Sequence, residues 1–152
     1  IPKVRFIKND SNRFESRWSS IKVANTNCIF TKGLEQTTFG MWTSHGEGKF
    51  VIDDTDIDDT DIDESFAMQY AMHYVDDCGN ITQKYPFNPN GSKKGVAGIC
   101  SNNGRHLAMM PHPERCFLKW QCPYIYPEVD KKLGKYSPWF GLFKNAYNFC
   151  RE

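Results

Sequence analysis

The chain has 152 residues, enough for one domain that buries about 68–70% of the surface its unfolded form exposes. Its 39% hydrophobic and 14% aromatic content can fill a packed core, and a net charge of +1 argues against a nucleic-acid binder, which carries a basic stripe. No stretch reaches the ~20 consecutive apolar residues of a membrane span and no secretory leader opens the sequence, so a cytoplasmic protein is expected.

Val4-Arg5-Phe6-Ile7 reads as a short strand running into the turn formers Asn9-Asp10-Ser11-Asn12. From Arg13 to Val23 large apolar or aromatic residues alternate with polar ones, the pattern of a long strand with one wet face. Cys28-Ile29-Phe30 is a second apolar run, closed by Lys32-Gly33. Phe39-Gly40-Met41-Trp42 leads into Ser44-His45-Gly46-Glu47-Gly48, where glycines on both sides of Glu47 imply tight backbone or close approach by another group. Lys49 to Ile52 resumes as a strand.

Residues 53–64 differ in kind. Asp-Asp-Thr-Asp-Ile occurs twice in tandem, and eight of the twelve residues are acidic, so a solvated inserted loop is expected. The Asp-x-Asp rhythm of Asp54, Asp56 and Asp58 resembles a calcium loop, but Asp59 stands where that loop needs glycine and Ser65 where it needs glutamate. Glu64 to Tyr70 is compatible with a short helix, and Ala71 to Val75 with a strand. Asp76-Asp77-Cys78-Gly79-Asn80 has the content of a hairpin turn, with Ile81 to Lys84 returning. His73 has no partner pattern and reads as structural.

Tyr85 to Ser92 is a compact loop of turn formers, including Asn90-Gly91. Gly95 to Cys100 is a small-residue strand, Ser101 to Arg105 turns, and His106 to Met110 returns antiparallel. Cys116 to Tyr126 is aromatic and irregular, and Lys131 to Lys135 basic and exposed. Ser137-Pro138 supplies an N-cap and first-turn proline. Trp139, Leu142, Phe143, Ala146 and Cys150 then fall on one face of a C-terminal helix.

The chemistry concentrates at Pro111-His112-Pro113-Glu114-Arg115. Prolines restrict the backbone on both sides of His112. On an extended segment residues i and i+2 share a face, so Glu114 is placed beside the His112 ring, where a carboxylate holds one tautomer and stabilises the imidazolium. That is half of a nucleophile–base–orienter triad. Cys28, Cys78, Cys100, Cys116, Cys122 and Cys150 include no Cys-x-x-Cys pair, and reduced thiols are expected. His112, Cys116 and Cys122 come nearest to a zinc pattern but lack a fourth ligand at usual spacing, so no metal is expected.

Several stretches together resemble the C-terminal glutaminase domain of the phosphoribosylformylglycinamidine synthase family, a class I glutamine amidotransferase family. They are Phe6-Ile7-Lys8-Asn9-Asp10-Ser11-Asn12-Arg13-Phe14-Glu15-Ser16-Arg17-Trp18, Ser44 to Gly48, Tyr85 to Ser92 and Gly98-Ile99-Cys100-Ser101. The strongest are Gly104 to Arg115, with its Pro-His-Pro-Glu-Arg, and Ser137-Pro138-Trp139. The likeness covers nearly the whole chain apart from the acidic repeat.

The resemblance implies part of a three-layer α/β/α domain, its second half only, made mostly of strands and hairpins plus a C-terminal helix. Residues 1–152 would form that part, with the acidic insertion at 53–64. It implies His112 as general base, Glu114 as its orienter and glutamine as substrate. The family's nucleophile is a cysteine in a Gly-x-Cys-x-Gly elbow, a setting none of the six cysteines here has. It is expected in sequence preceding Ile1, which makes the chain a fragment that is inactive alone. The expected partners are the missing N-terminal half of the domain and a synthetase domain. ATP and magnesium belong to that synthetase domain, with no cofactor in this chain. His45, Gly46, Glu47, Asn90 and Gly91 are candidates for the substrate pocket or the interface. A half-domain exposes a sheet edge and an apolar face, to be covered by a partner or by self-association. The alternative is a non-catalytic binding or structural domain that keeps the fold, as in viral tegument relatives. Intact His112 and Glu114 speak against it.

Overall fold

A computed structural model describes residues 3–53 and 68–151, except for the side chains of Lys3, Ile52 and Asp53. The acidic repeat therefore lies outside the described residues, save for Asp53.

Alternation of apolar and polar residues produces most of the strands. They are β1 (Lys3–Ile7), β2 (Glu15–Val23), β3 (Thr38–His45), β4 (Lys49–Asp53), β5 (Met68–Tyr74), β6 (Val96–Ser101) and β7 (Leu107–Met109). β1 and β4 form a two-stranded ribbon, and the other five form one sheet in the order β3-β2-β5-β6-β7. The pairings are antiparallel throughout. Along β2, Glu15, Ser19, Ile21 and Val23 are buried, while Trp18 and Ser20 on the opposite face stay half-buried. Two helical segments follow the sheet: α1 (Pro127–Asp130), a single turn, and α2 (Phe140–Phe149). The architecture is mixed α/β, mostly strands with a C-terminal helix.

The core joins Ile21, Val23, Met41, Met72, Tyr74 and Ala97 of the sheet to Cys116, Trp139 and Leu142. Trp139 stacks edge-on against Phe39, with centroids 6.0 Å apart, and its indole Nε1 donates to the Gly40 carbonyl at 2.6 Å. Burying an aromatic of this size while satisfying its N–H fixes where α2 starts. Asn145 Nδ2 donates to the carbonyls of Phe30 and Lys32, tying α2 to the turn at Ile29–Thr31.

Four expectations need correction. Met68-Gln69-Tyr70 is not helical: it pairs with Ser101, Cys100 and Ile99 of β6, so strand pairing overrides local periodicity. The return strand expected at 81–84 shrinks to the Val75–Ile81 bridge and a Thr82 N–H to Tyr74 carbonyl bond, before the loop at 85–92 takes the chain away. On α2, Phe143 and Cys150 are exposed, since the packing reaches little beyond Trp139 and Leu142 and Phe143 sits a step of 100° round from Leu142. Ser137 is not the N-cap: it accepts from Trp139 N–H at 3.2 Å in the turn before the helix, which begins at Phe140 with Trp139 in the cap position and no side-chain cap.

The stretch leaving β7 positions the site. Met110 N–H donates to the Ala97 carbonyl of β6, and two residues later His112 N–H donates to the Trp42 carbonyl of β3 at 2.7 Å. Two residues span at most about 7 Å. The sheet is therefore curved enough to bring its two outermost strands to the same short segment.

Candidate active site

His112 and Glu114 meet. The ring Nδ1 lies 2.6 Å from Glu114 Oε1, with the His112 side chain 26% exposed and Glu114 55%. The contact is made by a geometry other than the extended one expected: Pro113–Arg115 is a 3-10 turn with Pro113 at its first position. The turn folds Glu114 back onto the ring, and Arg115 N–H closes it on the His112 carbonyl at 3.1 Å. Nδ1 facing a carboxylate carries the proton, which leaves Nε2 unprotonated as an acceptor. Arg115 Nε stands 3.7 Å from the same Glu114 oxygen.

Cys116, the nearest cysteine in sequence, is not poised to serve that ring. It is fully buried, its Sγ turned to the His112 carbonyl at 3.5 Å. Burial chiefly pushes its thiol up to about 12, opposed by a hydrogen bond with the Trp42 backbone and helped by smaller pushes from Cys122 and Glu114. An activated thiol is shifted the other way.

His45, the last residue of β3, is buried. Its Nε2 is 3.3 Å from Asn90 Nδ2, so it accepts there and the proton resides on Nδ1. Nδ1 has no hydrogen bond of good geometry among the described residues, although the Met110 backbone is within reach of the ring. Burial chiefly lowers the His45 pKa, and the charge of His112 lowers it further, against smaller opposing pulls from the Met110 backbone and Glu15. His45 is thus held neutral.

The other sequence candidates divide. Asn90 is fully buried at the centre of a polar network: Nδ2 also reaches the Tyr74 hydroxyl at 3.1 Å, and Oδ1 accepts from the Ser92 N–H and hydroxyl. Gly91 has φ +83°, and a Cβ there would lie 2.1 Å from Asp10 Oδ2, so glycine is required twice over. Gly48 also needs its bare Cα, since a Cβ would lie 2.2 Å from the His45 ring. Gly46 shows no such need; its open side faces Phe14. Glu47 is exposed at the tip of the β3–β4 turn, apart from His45 and Asn90.

Asn9 and Glu15 were not singled out from the sequence. Asn9 Nδ2 donates to the His45 and Arg13 carbonyls, and its Oδ1 accepts from Gly48 N–H, so it clamps the turn that carries His45. Glu15 pairs in register with His45 and is bonded to Arg17, which donates to the Tyr85 hydroxyl at 2.7 Å. Burial opposes its ionised form, but hydrogen bonds from Ser11 and Arg17 with the Arg17 and Arg13 charges leave its carboxyl below the usual range. A lone Asn in a turn and a Glu in a strand carry no spacing that marks them. The contacts that bring them to His45 are distant ones: Asn9 reaches His45 and Gly48, 36 and 39 residues on, and Glu15 faces His45 across the β2–β3 pair.

The chain is similar to known proteins over nearly its whole length. The chain is 46% identical over 149 residues to the phosphoribosylformylglycinamidine synthase of Dictyostelium discoideum, covering 96% of this chain and 11% of that protein. It is 42% identical over 144 residues to the Homo sapiens enzyme of the same name, covering 95% and 10%. The chain thus spans about a tenth of the length of these relatives. Among solved structures, PurLQS from Thermotoga maritima shares the fold, with TM-score 0.63 at 23% identity over 97% of this chain and 53% of that one. Residues 2–150 match the CobB/CobQ-like glutamine amidotransferase domain, and the chain belongs to that family.

Proposed function

We propose that this chain is the glutaminase part of a phosphoribosylformylglycinamidine synthase in purine biosynthesis. It would split glutamine into glutamate and ammonia, and a separate ATP- and magnesium-dependent synthetase part would use that ammonia to convert formylglycinamide ribonucleotide to formylglycinamidine ribonucleotide. The observation that carries the reading is the His112 Nδ1–Glu114 Oε1 contact on a ring that remains partly open to solvent. The names of the relatives support the same assignment.

In this reading His112 Nε2 takes the proton of a cysteine thiol, and the thiolate attacks the side-chain carbonyl carbon of glutamine. The imidazolium, stabilised by Glu114, returns its proton to the departing nitrogen as the carbon–nitrogen bond breaks and ammonia leaves. Water then cleaves the thioester to give glutamate and regenerate the thiol. An unshifted thiol of pKa ~8.5 is only a few per cent thiolate at neutral pH, which is why the base is needed. The settings of the six cysteines and the burial of Cys116 support a nucleophile contributed from outside these 152 residues, so the isolated chain would be inactive. His45, Gly46, Glu47, Asn90 and Gly91 are assigned in this reading to the substrate pocket or the interface with the synthetase part, and of these Glu47 is exposed.

The test is His112→Ala in the full-length enzyme. Glutamine-dependent synthesis should fall by about 10²–10⁴-fold, the usual contribution of a positioned base, while synthesis from added ammonia persists. Equal loss with both nitrogen donors would reject the assignment.

A further inference from the structure

The stretch that carries His112 and Glu114 leaves the sheet and returns to it, and both of its ends are fastened to one residue of β3. Trp42 accepts the His112 N–H on its carbonyl at 2.7 Å, in an antiparallel bridge between the two residues. Its indole Nε1 donates to the Gln121 carbonyl at 3.0 Å. Main chain and side chain of Trp42 thus close a loop over 112–121 that holds the base, its carboxylate and the two 3-10 turns Pro113–Arg115 and Lys119–Gln121.

Both fastenings are backed by further contacts. Trp42 pairs in register with Trp18 of β2, and the two indoles meet edge to face with centroids 5.3 Å apart. Trp18 in turn lies over Gly40, where a Cβ would collide with its indole. At the far end the Gln121 side chain accepts from the Leu118 N–H at 2.8 Å, and Gln121 N–H donates to the Leu118 carbonyl at 3.0 Å. The turn that presents the Gln121 carbonyl is therefore closed twice. Any residue at position 42 would offer a main-chain carbonyl to His112. The indole N–H, a donor with no acceptor role, is what tryptophan adds.

We infer that Trp42 is a positioning residue for His112: by holding both ends of the 112–121 loop it sets where the base stands. This rests on the glutaminase reading and goes beyond it by assigning a residue of β3, 70 positions before the base in sequence. Without the indole tie the far end of the loop loses its hydrogen bond to β3, and the base drifts with it. A displacement of about 1 Å in a catalytic group can cost on the order of 10²-fold in rate.

The experiment compares Trp42→Phe, Trp42→Gln and Trp42→Leu in the full-length enzyme, with glutamine and with added ammonia as nitrogen donors. Phenylalanine keeps a ring against Trp18 but has no donor. Glutamine gives up the ring and carries an amide N–H at about the reach of Nε1, and leucine lacks both. Glutamine-dependent kcat should fall by about 10–100-fold in Trp42→Leu and about 10-fold in Trp42→Phe, with KM little changed and ammonia-dependent synthesis kept. Trp42→Gln should lie closer to wild type than Trp42→Phe. A residue that merely packs would give the reverse order, and that result overturns the inference. So does wild-type kcat in Trp42→Phe, or a loss carried by KM alone. Should the Trp42 variants not fold, Gln121→Leu against Gln121→Glu decides. Glutamate keeps an oxygen for the Leu118 N–H and leucine does not, so only Gln121→Leu should lower kcat, and equal kcat in the two overturns the inference. Failure of the glutaminase reading is distinguishable, since His112→Ala would then leave glutamine use intact or abolish the use of both donors alike.

Discussion

The two histidines of this site are held in opposite ways. His112 meets its carboxylate across a single intervening residue, in a turn that half exposes both groups. His45 meets its amide partner across 45 residues of sequence, in a network buried on every side. The first contact is local, adjustable and bathed by water, so a replacement there changes chemistry more than stability. The second is non-local, and its polar atoms have no solvent to fall back on, so a replacement there leaves unsatisfied groups behind. A reacting group must be reached and must move a proton; the buried histidine need do neither.

The comparison can be broken or sharpened at several points. Removing the charge from the exposed pair should have the largest effect. Glu114→Gln keeps an oxygen to receive Nδ1–H but cannot stabilise the imidazolium, so glutamine-dependent kcat should fall on the order of 10²-fold with melting temperature nearly unchanged. A large loss of stability instead would show that the exposed pair is structural.

A smaller effect, on the buried side, is acid sensitivity. His45 and His73 both have pKa values lowered chiefly by burial. Above their ordinary value of 6.5 they are neutral in folded and unfolded protein alike, and contribute no pH dependence. As the pH falls below 6.5 the unfolded chain binds protons that the folded one excludes, so stability declines, with an uptake of at most about two protons. Amide hydrogen exchange across β3 and β5, followed in steps of about one pH unit from about 7.5 down to about 5, should show protection, corrected for intrinsic exchange, falling only below about 6.5. His73→Gln should remove one proton from that dependence, and an unchanged slope would contradict burial as the cause. The smallest effect is expected at Arg115→Ala. Its Nε is 3.7 Å from Glu114 and both side chains are about half exposed, so less than ~1 kcal/mol of stability should be lost.

The same division explains what was legible beforehand. Period-two alternation marked β2, the short runs Val4 to Ile7 and Lys49 to Ile52 marked β1 and β4, and the turn formers Ser101 to Arg105 marked the β6–β7 hairpin, because these signals are local, whereas β3 was not read as a strand. The Pro-His-Pro-Glu spacing brought His112 and Glu114 together on paper, although by an extended geometry where the chain makes a 3-10 turn. Met68 to Tyr70 was misread since its strand state comes from β6, 31 or so positions on, rather than from its own composition. The α1 turn carried an overlooked signal, Pro127 followed by Glu128 and Asp130 in the first turn. Asn9 and Ser92 had no such mark. Their importance lies in which distant carbonyls and amides they reach, and no window of sequence displays that.

Pro111 gives the stretch before His112 a further property. It is buried between two residues whose N–H groups are both engaged, and it has no N–H of its own. Were the chain to slip by one residue in either direction, the imino acid would arrive opposite Ala97 or Trp42 with nothing to donate. The segment is therefore keyed like a lock that accepts a single alignment. Adding or deleting one residue between β7 and His112 would cost the imidazole its place, however well the strands on either side survived.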